Sequence, residues 1–374
     1  MKSGISEYSE ALVYGLAEYY DVTLLTDDYN LDSRQLTKDF PQKIYQSGKR
    51  YSEFDVVIYN IGNNPHYHMY MTEALKDNPG FIILHDFVLY YLAVGIHQRK
   101  GDLFQSIYAL EGVYGISIVK DSLKQKKEPD LLEHKSIAAN LPMNSEIIQM
   151  SKGIFVHSDY ARNRLLQEFP EKQCRKIEHI KISFTEIKGD PFQFIEKGYK
   201  IPRDAFLIGA IGFIASTKQN VLACQAVQKY NQTNKQKIYY LMIGEGDTAD
   251  TYLDQYIQKT GFIHNNEYLL AIERCDLIFN LRYPSYGETS GTLIQCMGRG
   301  KLCVTTDIGW FSELSSSVVV KVPFNITPED LMKTIEFLKM KDNSEIMQGA
   351  KRYVDVECAP EKIAADMFEF IKRV

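Results

Sequence analysis

Short apolar runs that stop abruptly at small or polar residues punctuate the chain, and between them apolar positions recur at helical spacing. Val22–Leu25 ends in Thr26-Asp27-Asp28, and Asp55–Tyr59 ends in Asn60-Ile61-Gly62-Asn63-Asn64. Phe81–Leu84 ends in His85-Asp86, and Gly153–Val156 in His157-Ser158. Runs this short and this uniformly apolar read as strands buried on both faces. Ser6–Tyr19 reads as an amphipathic helix opened by Ser3-Gly4, and a second helix is expected over His66–Lys76. Residues 29–52 read as a loop-rich connection. Residues 88–150 read as mostly helical with a polar break over Lys126–Pro129, and Ser158-Asp159 caps a helix towards Phe169.

A fresh series begins at Phe206. Strands are expected near 206–211, 238–243, 276–281, 302–305 and 318–322, with helices near 219–231, 250–259, 266–274 and 290–298. A final helix spans Pro360–Lys372. Alternating strands and helices imply parallel sheets wound on both faces. The polar, proline-containing stretch Gly198–Asp204 is the expected hinge, dividing the chain into domains 1–197 and 198–357, with 358–374 as a terminal helix.

The 374 residues suffice for two domains, and 45% hydrophobic with 24% charged residues is the balance of a globular protein. A net charge of −5 argues against general nucleic-acid binding, which rests on phosphate neutralisation. No apolar run reaches the roughly 18 residues of a membrane span, and the start does not read as a signal peptide. Six cysteines without a Cys-x-x-Cys pair point to reduced thiols and a cytoplasmic setting, with no zinc spacing. Lys120, Lys124, Lys126 and Lys127 form a basic patch largely cancelled by Asp121, Glu128 and Asp130, so a solvated helix face is favoured over peripheral membrane contact.

The densest chemistry lies in Leu281–Glu313. An apolar run ends at Arg282-Tyr283-Pro284, followed by Gly287-Glu288-Thr289-Ser290-Gly291 and a short helix-like run ending at Gly298 and Gly300. Thr289 or Ser290 is a good N-cap and Gly300 a plausible C′ stop. A helix opening here presents unpaired N–H groups to a phosphate or carboxylate. An ordinary crossover unit would use the same glycines.

This stretch resembles the donor-binding signature of retaining glycosyltransferases of the GT-B type, close to glycosyltransferase family 4. That family carries two glutamates separated by seven residues, then a Gly-Lys or Gly-Arg pair. Aligned on Gly300-Lys301, Gln295 stands at the second glutamate and Gly287 at the first, with Glu288 one place along. The Gly-Glu-Thr-Ser-Gly variant resembles a polysaccharide-type subgroup. Ile211-Gly212-Phe213 to Lys218 resembles the Gly-Arg-Leu…Lys motif that grips the donor diphosphate, with Lys218 matching and Phe213 replacing the arginine. Arg282 is a substitute cation for that role. Ile83-Leu84-His85-Asp86 resembles the first-domain strand whose histidine approaches the donor sugar, and Asn63 with His66 matches the acceptor side. Ser3-Gly4 fits a small-residue loop near the diphosphate, Gly244-Glu245-Gly246 is family-like, and Phe262 borders the nucleobase pocket.

The resemblance implies two doubly wound Rossmann-like domains with a cleft between them. It implies transfer of a hexosyl unit from a nucleotide-diphosphate sugar to a glycan, lipid-linked or other acceptor, with retention. Lys218, Arg282 and the helix opening at Thr289-Ser290-Gly291 would stabilise the departing diphosphate, with Gly212 beneath it. Glu288 would orient the sugar hydroxyls, Gln295 the ribose, and His85 would lie at the reacting centre. Thr26-Asp27-Asp28 is a faint metal-motif echo, so neither metal nor cofactor is expected. Two alternatives stay open: a non-catalytic nucleotide-sugar-binding partner, motivated by Phe213 and the altered glutamates, and a nucleotide-sugar epimerase. A doubly wound domain also opens with an apolar strand, whereas only Met1-Lys2 precede Ser3-Gly4. The expectation is a gap or rearrangement in the first sheet, with a natural start some ten to fifteen residues upstream.

Overall fold

The structure is a computed structural model that describes residues 4–28, 31, 33–125, 135–182 and 186–374. It divides into two compact units. The first comprises residues up to Ile180, Tyr286–Thr289 and Pro360–Val374; the second comprises Lys181–Ser285 and Ser290–Ala359.

In the first unit, β1 (Leu24–Thr26) pairs in parallel with β2 (Gln42–Ile44) as a separate ladder. Strands β3 (Ile58–Ile61), β4 (Phe81–Leu84), β5 (Gly153–Val156) and β6 (Cys174–Lys176) form a parallel sheet in that order. Among the described residues no ladder joins the two sheets. Side chains alternate across a strand, so each strand feeds two cores. Ile83 and Phe155 face one side with Tyr8, Leu12 and Leu16 of the helix Gly4–Leu16 and with Ile363, Met367 and Ile371 of the helix Pro360–Ile371. Ile82, Leu84, Ile154 and Val156 face the other, against Leu92, Val94 and Ile148.

The second unit holds β7 (Phe206–Ile211), β8 (Ile238–Ile243), β9 (Ile257–Lys259), β10 (Leu277–Asn280), β11 (Cys303–Thr306) and β12 (Val320–Val322). Their order is β12-β11-β10-β7-β8-β9, every neighbour parallel. Leu207, Ile211, Leu241 and Ile243 face one core, and Ile208, Tyr240 and Met242 the other.

Several expectations are corrected. The stretch 250–259 is not a helix but a 3-10 turn over Asp250–Tyr252 followed by β9. The Asp254 carboxylate takes the Tyr256 and Ile257 N–H groups at 2.7 and 2.8 Å, a local closure that competes with a helix. Within 29–52 lie a short helix, Arg34–Asp39, capped by Ser33, and strand β2. The first unit ends at Ile180, not near residue 197. The reason is the helix Pro191–Tyr199, opened by Asp190 and Pro191, whose Ile195 is buried with Leu269 and Ile272 of the second unit.

Two glycines separate packing from propensity. A Cβ on Gly15 would stand 2.8 Å from the Pro360 carbonyl oxygen and 3.0 Å from Ala364 Cβ, whereas Gly198 has nothing within 4 Å. Gly15→Ala is expected to lower stability by about 1–3 kcal/mol despite better helix propensity. Gly198→Ala is expected to raise it by roughly 0.5–1 kcal/mol. Urea midpoints at unchanged m-value check both.

Candidate functional site

In the second unit, β7 stops at Ile211 and the chain turns at Gly212 with φ of +94°. The Gly212 N–H donates to the Ile243 carbonyl at 2.9 Å, and the Ile214 N–H to the Glu245 carbonyl at 2.5 Å. The loops after β7 and β8 therefore lie backbone against backbone. A Cβ on Gly244 would stand 2.4 Å from the Gly212 carbonyl oxygen, so this approach requires glycine. Lys218 occupies the space over Gly212: a Cβ there would meet Lys218 Nζ at 2.6 Å and Thr292 Cγ2 at 3.9 Å. Lys218 Nζ also donates to the Ile211 carbonyl at 3.2 Å.

Thr292 lies in the first turn of the helix Gly291–Gly298. Ser290 is its N-cap, its Oγ accepting the Leu293 N–H at 3.2 Å, and Gly300 follows the helix with φ of +67°. A strand end, an ammonium group and a helix N-terminus thus converge on one point. Each favours an anion, through N–H groups, charge and macrodipole respectively.

Arg282 follows β10 and is buried. Its N–H donates to Thr306 Oγ1 at 2.9 Å, and the Tyr283 N–H to the Thr217 carbonyl at 2.8 Å, binding the Lys218 loop to the end of β10. The Arg282 guanidinium donates to the Leu281 carbonyl at 3.2 Å. Phe213, at the family's arginine position, is exposed. Gln295 is buried and accepts the Tyr268 hydroxyl at 2.8 Å. Lys301 is engaged elsewhere, on Glu273 at 3.2 Å. Sequence reasoning missed Asn280, whose Nδ2 donates to Thr292 Oγ1 at 3.3 Å. Its signal is a polar residue closing an apolar strand.

In the first unit the strand ends gather a different set. Asn63 Oδ1 accepts the N–H groups of Tyr91 and Leu92 at 2.9 and 3.2 Å, capping the helix Tyr90–Lys100. Asn64 caps the helix Pro65–Asp77 through the His66 N–H, and His66 is exposed. Gly4 opens the first helix; Ser3 lies outside the described residues.

His85 Nε2 faces Asn60 Oδ1 at 3.1 Å. Its ring, with those of His157 and His179, surrounds Tyr8 at centroid distances of 4.7, 5.2 and 5.2 Å. Only His85 was singled out from sequence. All three follow strands of the same sheet, β4, β5 and β6, within a few residues, though only β4 and β5 are apolar enough to announce that position in the sequence.

The segment Tyr286–Thr289 packs with this unit. The Val88 N–H donates to the Tyr286 carbonyl at 3.0 Å, and Glu288 Oε2 accepts the Tyr286 N–H at 2.6 Å. Gly287 sits at φ of +78°, where a Cβ would stand 2.6 Å from Phe87 Cβ. Asp86 accepts the Asn63 N–H at 2.9 Å, and burial, with Glu288 adding to it, raises its carboxyl to about 7.

Burial pushes His157 down to about 3, His179 and His68 to about 4, and His85 well below its ordinary value. These histidines are neutral in the fold but take up protons when unfolded below about pH 6.5, so their effect is absent above that pH and costs stability as pH falls towards 4. Asp86 works in the opposite direction between about 4 and 7, but with a single proton. The first unit is therefore expected to lose several kcal/mol between about pH 6.5 and 4.5. His157→Gln should flatten that slope in denaturant titrations across pH.

No protein-family profile and no curated protein sequence matches the chain. Solved structures do. HepE of Anabaena, crystallised with UDP-glucose, aligns over 98% of this chain and 96% of its own at a TM-score of 0.65 and 11% identity. WaaG, a glycosyltransferase involved in lipopolysaccharide biosynthesis, aligns over 97% and 95% at 0.61 and 11%. Sucrose-phosphate synthase from Thermosynechococcus elongatus aligns over 99% and 92% at 0.57 and 15%. The fold is therefore that of the GT-B glycosyltransferases, with two Rossmann-like domains.

Proposed function

We propose that the protein is a glycosyltransferase that takes a hexosyl unit from a nucleoside-diphosphate sugar and transfers it with retention to a glycan or lipid-linked acceptor. The observation that carries this reading is the convergence of Lys218, the Gly212 turn and the first turn of the helix Gly291–Gly298 on one point. Departure of the diphosphate is the difficult part of such a transfer, and fixed positive charge aimed at it lowers the barrier most. Lys218 and Arg282 supply the charge, and the N–H groups around Gly291 add theirs. Glu288 orients sugar hydroxyls and Gln295 the ribose. His85, neutral and held by Asn60, offers a hydrogen bond rather than a cation near the sugar.

HepE was crystallised with UDP and with UDP-glucose, which makes uridine-diphosphate sugars the first donors to test. No described helix is long and apolar enough to cross a membrane, and a lipid-linked acceptor would be met peripherally.

Calorimetric titration with nucleoside diphosphates tests the cradle. Lys218→Ala and Arg282→Ala are each expected to weaken binding about tenfold or more, since a charged hydrogen bond contributes roughly 1.5–3 kcal/mol. Parent-like affinity in both folded variants overturns the assignment. Because protein cations already face the diphosphate, transfer is expected to survive exhaustive chelation. Complete loss restored by magnesium or manganese would contradict this.

A further inference from the structure

Asn60 is the last residue but one of β3, opposite Ile83 of β4, and two histidines bond to it. His68 Nδ1 meets its backbone carbonyl at 3.1 Å, and His85 Nε2 meets its side-chain Oδ1 at 3.1 Å. Carbonyl and amide oxygens only accept, so each of these nitrogens carries a proton. A neutral imidazole has one N–H, which makes His68 the Nδ1–H tautomer and His85 the Nε2–H tautomer.

The neighbouring histidines are set like His68. His157 Nδ1 lies 3.4 Å from the Ile177 carbonyl, and His179 Nδ1 lies 3.0 Å from the Ile180 carbonyl. Of these four histidines, all held neutral by burial, His85 alone is bonded through Nε2.

The surroundings of His85 keep its ring from turning over. Its N–H donates to the Ile61 carbonyl at 2.9 Å, which fixes the backbone one residue past β4. The buried ring stands edge-on to Tyr8 at 4.7 Å between centroids and lies 5.1 Å from the His157 ring. A turned ring would set a carbon where Nε2 now stands and leave Asn60 Oδ1 without its N–H. With Nε2–H spent on Asn60, His85 has the Nδ1 lone pair left, an acceptor and not a donor. Burial and the adjacent histidines make that nitrogen a weak base, so it is suited to receiving a hydrogen bond from a hydroxyl group rather than to removing the proton.

Resting on the glycosyl-transfer reading, we infer that Asn60 is a positioning residue that locks His85 in the Nε2–H tautomer, so that His85 Nδ1 recognises the donor sugar by accepting a hydrogen bond from one of its hydroxyl groups. A site arranged in this way discriminates against a sugar that lacks the hydroxyl, because the lone pair is then left without a donor.

The test uses the full-length protein and two readouts. The first, nitrogen-15 NMR of histidine-labelled protein, reads the tautomer without substrate, and His85→Gln identifies the His85 signals by their loss. The parent should carry the His85 proton on Nε2. In Asn60→Ala the two ring-nitrogen shifts should approach each other as both tautomers become populated. Asn60→Ser, whose side chain is too short to hold Nε2, takes its place if Asn60→Ala does not fold. A parent with the His85 proton on Nδ1 overturns the proposal, as does a folded variant that keeps the parent's tautomer.

The second readout is calorimetric affinity for UDP, UDP-glucose and UDP-deoxyglucoses that each lack one sugar hydroxyl. Loss of the lock should weaken UDP-glucose about threefold to tenfold, the worth of one hydrogen bond, and leave UDP, which has no sugar, unchanged. For one deoxy donor the parent and the variant should bind equally, because the missing hydroxyl and the missing lock remove the same bond. A loss that persists with every deoxy donor, or that extends to UDP, overturns the sugar contact. If neither UDP nor UDP-glucose binds the parent, the glycosyl-transfer reading fails by itself, and the NMR measurement still decides whether Asn60 sets the tautomer.

Discussion

Backbone approach at the carboxyl ends of parallel strands is the constraint on which the rest depends. A parallel sheet leaves its terminal N–H and C=O groups to be satisfied by the loops that follow. After β7 and β8 this is done by laying one loop on the other, with Gly244 against the Gly212 carbonyl. The close fit leaves room above Gly212 for one ammonium group, that of Lys218. Thr306 and Thr217 then fix the backbone of Arg282 and Tyr283 relative to it. The cradle is thus a by-product of solving the strand-end problem with glycine.

The two units handle charge in opposite ways. In the second, Lys218 and Arg282 donate to the backbone carbonyls of Ile211 and Leu281, each at 3.2 Å. In the first, three histidine rings around Tyr8 give up their charge to burial, leaving a polar but uncharged wall behind the strand ends.

Much of this was legible in the sequence. Buried strands such as Phe81–Leu84 announce themselves because both faces are apolar, and Ser290-Gly291 reads as a helix opening because serine oxygen satisfies an otherwise orphaned N–H. The failures have physical causes. The Asp254 turn was hidden because periodicity does not register a carboxylate capping its own backbone. The histidine cluster needs three strands in register, which no local window sees. The helix Pro191–Tyr199 carried a visible Asp-Pro start, but which core takes Ile195 depends on a partner some seventy residues away. Likewise nothing local in Tyr286–Thr289 tells that its packing differs from that of Ser290.

The chain passes between the two units at 180/181, 285/286, 289/290 and 359/360. Neither unit is therefore a continuous stretch of gene. A fragment ending at Ile180 lacks Ile363, Met367 and Ile371, which cover Ile83 and Phe155, while a fragment starting at Lys181 carries that helix with nothing to bury it. Exchanging either unit between homologues by a single crossover would strand a hydrophobic helix on one product and open a core on the other. Recombination within such a gene is tolerated only when the last helix travels with the first half, so the two ends of the chain are expected to diverge together.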